Sequence, residues 1–162
     1  MIKRILALDI SLSSTGFTIL DVNTETSECR IVRIGSTATT KIKSRGNKLS
    51  LIFAQMKYLE EEYNPDVVIA EQPFSRHNTS TQAIFGAVGV IQMAFSKYDF
   101  IWYPPSTVKK VITGNGKADK ETVAEVMKSL FEKVSFANDD ESDSLAVAIT
   151  HVEQSEEFQN VS

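Results

Sequence analysis

A chain that reads ILALDISLSSTG from Ile5 to Gly16 has to turn back on itself just after a carboxylate. The apolar run Ile5 to Leu8 leads into Asp9, and the small Ser, Thr and Gly residues that follow favour a tight turn before GFTILDV resumes the apolar pattern. The stretch therefore reads as two strands joined by a short loop. A carboxylate at the end of a buried strand is costly unless it is paired, hydrogen-bonded or bound to a cation. Taken alone, Asp9 is better explained as a residue that caps the turn.

The rest of the chain supplies the elements such a hairpin would pack with. Cys29 to Ala38 alternates apolar and polar residues and predicts a third strand, antiparallel to the second. A basic link, Thr39 to Gly46, leads to a helix with Leu49, Ile52, Phe53, Met56, Leu59 and Tyr63 at helical spacing, stopped by Asn64-Pro65. DVVIAEQPF from Asp66 is a second short strand that ends on an acid, Glu71. The next helix, about 79–96, is apolar on two sides: Ile84, Val88, Ile91 and Phe95 form one stripe, and the small residues Ala83, Gly86, Ala87, Val90 and Ala94 form another. One face suits the sheet; the small-residue face suits either a second subunit or a helix of the same domain.

Asp99 to Tyr103 predicts a fifth strand, after which Ser106 caps a short helix and Thr113 to Lys117 makes a Gly-rich turn. A further helix from Asp119 is expected to bury Val123, Val126, Met127, Leu130 and Phe131. The last helix opens at a capping box of Asn138 and Glu141 and buries Leu145, Ala148, Ile149 and Val152. Beyond Glu153 the chain is polar and is expected to fray. Together these predict an α/β fold, a five-stranded mixed sheet of three antiparallel strands and then parallel strands, with helices on both faces.

Asp140 and Asp143, three apart, share one side of the last helix's first turn, away from the Leu145/Ile149 stripe. Each could be no more than an acid favoured by the helix dipole. With Asp9 and Glu71 ending two strands of the sheet on which that helix packs, however, the four carboxylates converge. Oxygen ligands without His or Cys select hard cations such as Mg²⁺ or Mn²⁺, and a pair of such ions suits displacement at phosphorus.

Charge distribution bears on the phosphate. The net charge is −4, but residues 1–118 hold 14 Lys and Arg against 10 Asp and Glu, and residues 119–162 hold 3 against 11. Lys41, Lys43, Arg45, Lys48 and Lys57 lie in a stretch with no acid, as do Lys109, Lys110 and Lys117. Such runs are often just solvated faces, and they gain weight only beside the carboxylates. The single Cys29 makes no internal disulfide and is given no role, and no apolar run is long enough for a membrane span. A cytoplasmic protein is expected.

In order and separation, LALDIS…STG, VVIAEQPF, PPSTVKKVITGNGKADKETV and DDESDSLAVAITH resemble the RuvC Holliday junction resolvases of the RNase H-like nuclease and integrase superfamily. The resemblance runs to His151, and its most specific parts are Pro105–Val123 and the final block. It implies one RNase H-like domain over 1–153 with a polar acidic tail at 154–162. It implies that Asp9, Glu71, Asp140 and Asp143 are the catalytic, metal-binding acids, holding two Mg²⁺ ions per site, with Mn²⁺ as a substitute. The partners it implies are branched DNA, above all four-way junctions cut by paired symmetric nicks, and a second copy of the chain through helix 79–96. It implies no nucleotide cofactor and no membrane. By the same resemblance Phe74 wedges against bases, Lys109 and Lys120 lie near the scissile phosphate, and Arg76, Lys110 and Lys117 contact the backbone.

The chain departs from the family pattern at Ile10-Ser11, where Pro-Gly is usual, at Pro73, and in its acidic end; these departures suggest a diverged member from a phage or mobile element. His151 reads as a structural residue. A fork or flap endonuclease and a non-catalytic DNA-binding module are the alternatives. A phosphate-binding ATPase of the actin and sugar-kinase type, suggested by DISLSSTG, would need a second domain for which 162 residues leave no room.

Overall fold

The order of elements follows the hydrophobic pattern closely. In a computed structural model that describes residues 1–73 and 78–159, the chain runs β1 (Ile2–Asp9), β2 (Ser14–Asn23), β3 (Cys29–Ala38), α1 (Arg45–Tyr63), β4 (Val67–Glu71), α2 (Asn78–Ala94), β5 (Phe100–Tyr103), α3 (Pro105–Thr113), α4 (Lys120–Leu130), α5 (Asp139–Gln154) and α6 (Glu156–Gln159). The strands form one sheet in the order β3-β2-β1-β4-β5. β1, β2 and β3 pair antiparallel, while β4 joins β1 and β5 joins β4 in parallel. The C-terminal ends of β1, β3, β4 and β5 therefore share one edge.

Strand alternation sends side chains to two cores. Leu6, Leu8, Phe17, Ile19, Val68 and Ala70 face α1 and α2, meeting Ile52, Met56, Ala87, Ile91 and Phe95. Ile5, Ala7, Leu20, Val22 and Ile69 face the other way, toward Val108, Val123, Met127, Leu145 and Phe158. Helices cover both faces, so β1 is buried on both sides from Ile5 to Leu8, which accounts for its unbroken apolar run.

One reading left open by the sequence is resolved, and several local expectations are corrected. The small-residue face of α2 packs inside the domain: Ala87 and Ala94 are buried, and a Cβ on Gly86 would press against Arg45 and Leu49 of α1. The face left open carries Phe85 and Met93, 57% and 59% exposed, with Gly89 between them. Ser106 does not cap α3, because Pro105 opens that helix and Pro104 stands at its cap without a side-chain bond. Leu130 ends α4 in solvent. The fraying expected beyond Glu153 does not occur over α6, where Phe158 is buried against the His151 ring and Glu157 pairs with Lys3 at 2.5 Å. Those contacts also explain the buried His151, whose Nδ1 shares a 2.8 Å hydrogen bond with the Tyr103 hydroxyl, and whose burial holds its pKa below the usual range. No helix among the described residues is long and apolar enough to cross a membrane.

Candidate active site

The loop after Asp9 is fastened by its own small side chains. Ser11 Oγ accepts from Ser14 N at 2.9 Å and donates to the Ser14 carbonyl at 2.7 Å, and Thr15 Oγ1 donates to the Ser11 carbonyl at 2.7 Å. This is why the turn is written in Ser and Thr: their hydroxyls satisfy backbone groups that no strand partner reaches. Asp9 is thereby fixed at the sheet edge, directly opposite Gly16 in the hairpin register. On its other side β1 pairs with β4, whose last residue is Glu71.

Helix α5 arrives at the same edge because Gly16 lets it. A Cβ on Gly16 would lie 2.0 Å from the Asp140 carbonyl oxygen, so only glycine admits the helix start this close. Two further latches hold it. Thr18 Oγ1 and Ser144 Oγ, both fully buried, share a 2.8 Å hydrogen bond, and Asn138 Nδ2 donates to Ser36 Oγ at 2.8 Å. The expected capping box is present in shifted form. Asn138 Oδ1 accepts from Glu141 N at 3.1 Å, whereas Glu141 Oε2 accepts from Ala137 N at 2.7 Å, one residue earlier than the usual reciprocal bond.

Asp9, Glu71 and Asp143 line one cavity of about 340 Å³ together with Lys109, Lys120, Gln72, Pro73 and Pro105. Asp140 does not line it. Its backbone rests against Gly16, and its charge acts on both Asp9 and Asp143. Burial, reinforced by Asp143, Glu71 and Asp140, pushes the Asp9 carboxyl up to about 8. Burial and then Asp143 raise Glu71 to about 7, against the opposing pull of Lys109 and Lys120. Asp143 is raised by burial too, although Lys120 Nζ stands 3.1 Å from its Oδ2. Burial disfavours the charge on Lys120, yet Asp143 and Asp9 hold its pKa above the ordinary value.

These carboxylates repel one another and are short of positive charge. That electrostatic deficit fits a hard divalent cation, and the donors are all oxygen. As placed, the side chains do not close on one point: among the described residues no three metal-ligating groups stand close enough to share an ion, and Asp143 is engaged by Lys120.

Of the other expected contact residues, Lys110 opens onto a different hollow, with Ser106, Gly116 and Glu153, and Lys117 is exposed on the turn after α3. Phe74 and Arg76 lie outside the described residues. Gly16, Thr18, Ser36 and Ser144 had no place in the sequence-based site. The signals were a glycine opposite the acid in the hairpin and a serine interrupting the apolar stripe of α5.

A sequence profile of the family described as "Crossover junction endodeoxyribonuclease RuvC" matches residues 5–151. The chain belongs to the RuvC family. Relatives of that name include one from a Wolbachia of Brugia malayi, 31% identical over 152 residues, covering 92% of this chain and 93% of the relative. Another, from Prochlorococcus marinus, is 32% identical over 157 residues, covering 93% and 97%. Among solved structures, Thermus thermophilus RuvC superposes with a TM-score of 0.78 at 22% identity, covering 92% of this chain and 93% of that one, which establishes the fold. Membership of the RuvC family implies a metal-dependent nuclease.

Proposed function

We propose that this RuvC-family chain resolves four-way DNA junctions by hydrolysing one phosphodiester in each of two strands, with Asp9, Glu71, Asp140 and Asp143 holding two Mg²⁺ ions. The observation that carries the reading is the cavity in which carboxylates from β1, β4 and α5 meet with too little positive charge, while Lys109 and Lys120 border the same space. T. thermophilus RuvC, which shares the fold, has been solved in complex with a Holliday junction substrate. Bound between these acids, the metal would activate a water and neutralise charge at the scissile phosphate.

The protein's own residues have distinct parts. Asp9 and Glu71 sit on strands and offer oxygens that cannot move far. Asp140 and Asp143 ride on α5, whose placement depends on Gly16 and the Thr18–Ser144 bond. Lys120 pairs with Asp143 at 3.1 Å and would be free to meet a phosphate oxygen were a cation held by that acid, and Lys109, bordering the same cavity from α3, would reach the same phosphate. Lys110, Lys117, Arg76 and Phe74 serve DNA outside the cavity. Paired nicks need two sites, and we assign the second copy to the open face of α2, where Phe85 and Met93 are exposed beside a hollow lined by Pro73, Val88 and Trp102.

End-labelled four-way junction, fork and linear duplex, each incubated with Mg²⁺, Mn²⁺ or chelator, test the reading. Symmetric nicks in the four-way junction, lost in chelator, are expected. Equal cutting of the fork would replace it with a broader branched-DNA nuclease, and absence of metal-dependent cutting would leave a binding module.

A further inference from the structure

The basic link between β3 and α1 is more than a solvated loop. Thr39 N donates to the Ser13 carbonyl at 2.9 Å and Thr39 Oγ1 donates to the Leu12 carbonyl, which fastens the link to the loop that follows Asp9. Ile42 N then bonds the Thr39 carbonyl at 2.9 Å, and Ser44 caps α1, so the segment is a folded shelf at the carboxylate edge. Arg45 is used internally, donating to the Gln82 carbonyl of α2. Lys41 and Lys43 are exposed, Lys48 is half-buried, and none of the three pairs with a carboxylate among the described residues. Lys3, Lys57 and Lys97, by contrast, are each paired with a glutamate.

Position decides what three unpaired ammonium groups are for. In the order β3-β2-β1-β4-β5, Asp9 and Glu71 lie at the middle of the edge, Lys109 lies on the β5 side and the link lies on the β3 side. β3 is two strand spacings from β1, roughly 10 Å, which corresponds to about three base pairs along a duplex. A polyanion crossing this edge meets positive charge, then the carboxylates, then positive charge again. We propose that Lys41, Lys43 and Lys48 form a second phosphate-binding shelf, which grips the backbone of the DNA arm on the β3 side of the scissile phosphate. The proposal rests on the nuclease reading above and adds a surface to it.

Junction binding in chelator, followed by fluorescence anisotropy from about 50 to 200 mM salt, tests it on the full chain. Lys41→Ala/Lys43→Ala/Lys48→Ala should flatten the slope of log affinity against log salt by about 2 to 3, since each phosphate contact contributes about 0.9. The triple Lys→Arg variant should restore the slope. An unchanged slope in the Ala variant, with wild type binding normally, would overturn the shelf alone. Failure of the wild type to bind junctions at all would overturn the nuclease reading and the shelf with it.

Discussion

Replacing Asp9 by Asn should stabilise the metal-free protein at neutral pH while removing its activity. The Asp9 carboxyl titrates at about 8 in the folded chain against an ordinary 3.8, mainly because it is buried and secondarily because Asp143, Glu71 and Asp140 repel its charge. The folded state therefore keeps a proton that the unfolded chain releases. For an acid raised in this direction, stability is full below the unfolded value, falls as pH rises through the window from about 4 to 8, and stays low above it. At pH 7 the linkage amounts to at most ~4 kcal/mol; relaxation of the side chain and entry of water reduce it to ~2 kcal/mol. For a domain of this size that is a shift of about 4 to 8 °C in Tm. Thermal unfolding in chelator at a series of pH values, for wild type and Asp9→Asn, measures it. The variant should gain most near pH 8 and little near pH 5, and Mg²⁺ should raise the Tm of the wild type but not of the variant. A variant less stable than wild type at pH 8, or a difference independent of pH, would refute the reasoning.

Three other outcomes follow from the same geometry. Glu71→Gln should lower cleavage below detection while leaving junction affinity in chelator near wild type, since the metal-holding charge is removed and the basic surfaces stay; electrophoretic mobility shift and single-turnover cleavage measure the two. Gly16→Ala places a methyl group 2.0 Å from a backbone oxygen that has no side-chain freedom, so α5 must shift; a loss of about 1 to 3 kcal/mol in denaturant unfolding and a large fall in cleavage are expected. Phe85→Glu or Met93→Glu should convert a dimer to a monomer in light scattering with little change in Tm, because both side chains are already exposed in one copy.

The strands and long helices were legible because their burial is periodic and their ends carry chemical signals: Asn64 adopts the left-handed conformation that stops α1, and Asp119 and Asn138 cap α4 and α5 through their side chains. Asp9, Glu71 and Asp143 were legible as a set because strand ends and a helix start were bound to meet at one edge. What was hidden depends on distances between elements far apart in the chain. The small residues of α2 fit a subunit interface and an intradomain helix contact equally well by pattern, and only the approach of Arg45 and Leu49 to Gly86 decides between them. α6 holds because Phe158 finds the ring of His151, a contact that no periodicity in QSEEFQ announces.

The two pairs of acids are held by different means, and the difference bears on how the site works. Asp9 is fixed opposite Gly16 in the β1–β2 ladder and Glu71 opposite Tyr103 in the β4–β5 ladder, so neither backbone can move far, and burial first, with repulsion from neighbouring carboxylates second, raises both pKa values. Asp140 and Asp143 stand at the start of α5, whose apolar side is buried against the sheet and whose first turns are seated by the Thr18–Ser144 hydroxyl pair, the Asn138–Ser36 bond and the Gly16 contact, and Asp143 has a lysine beside it. On the proposed assignment, the strand acids set where positive charge is needed, and the helix acids join them only while α5 keeps its seat. A substitution at Gly16 or Ser144 removes no carboxylate, yet it acts on the contacts that seat the start of α5.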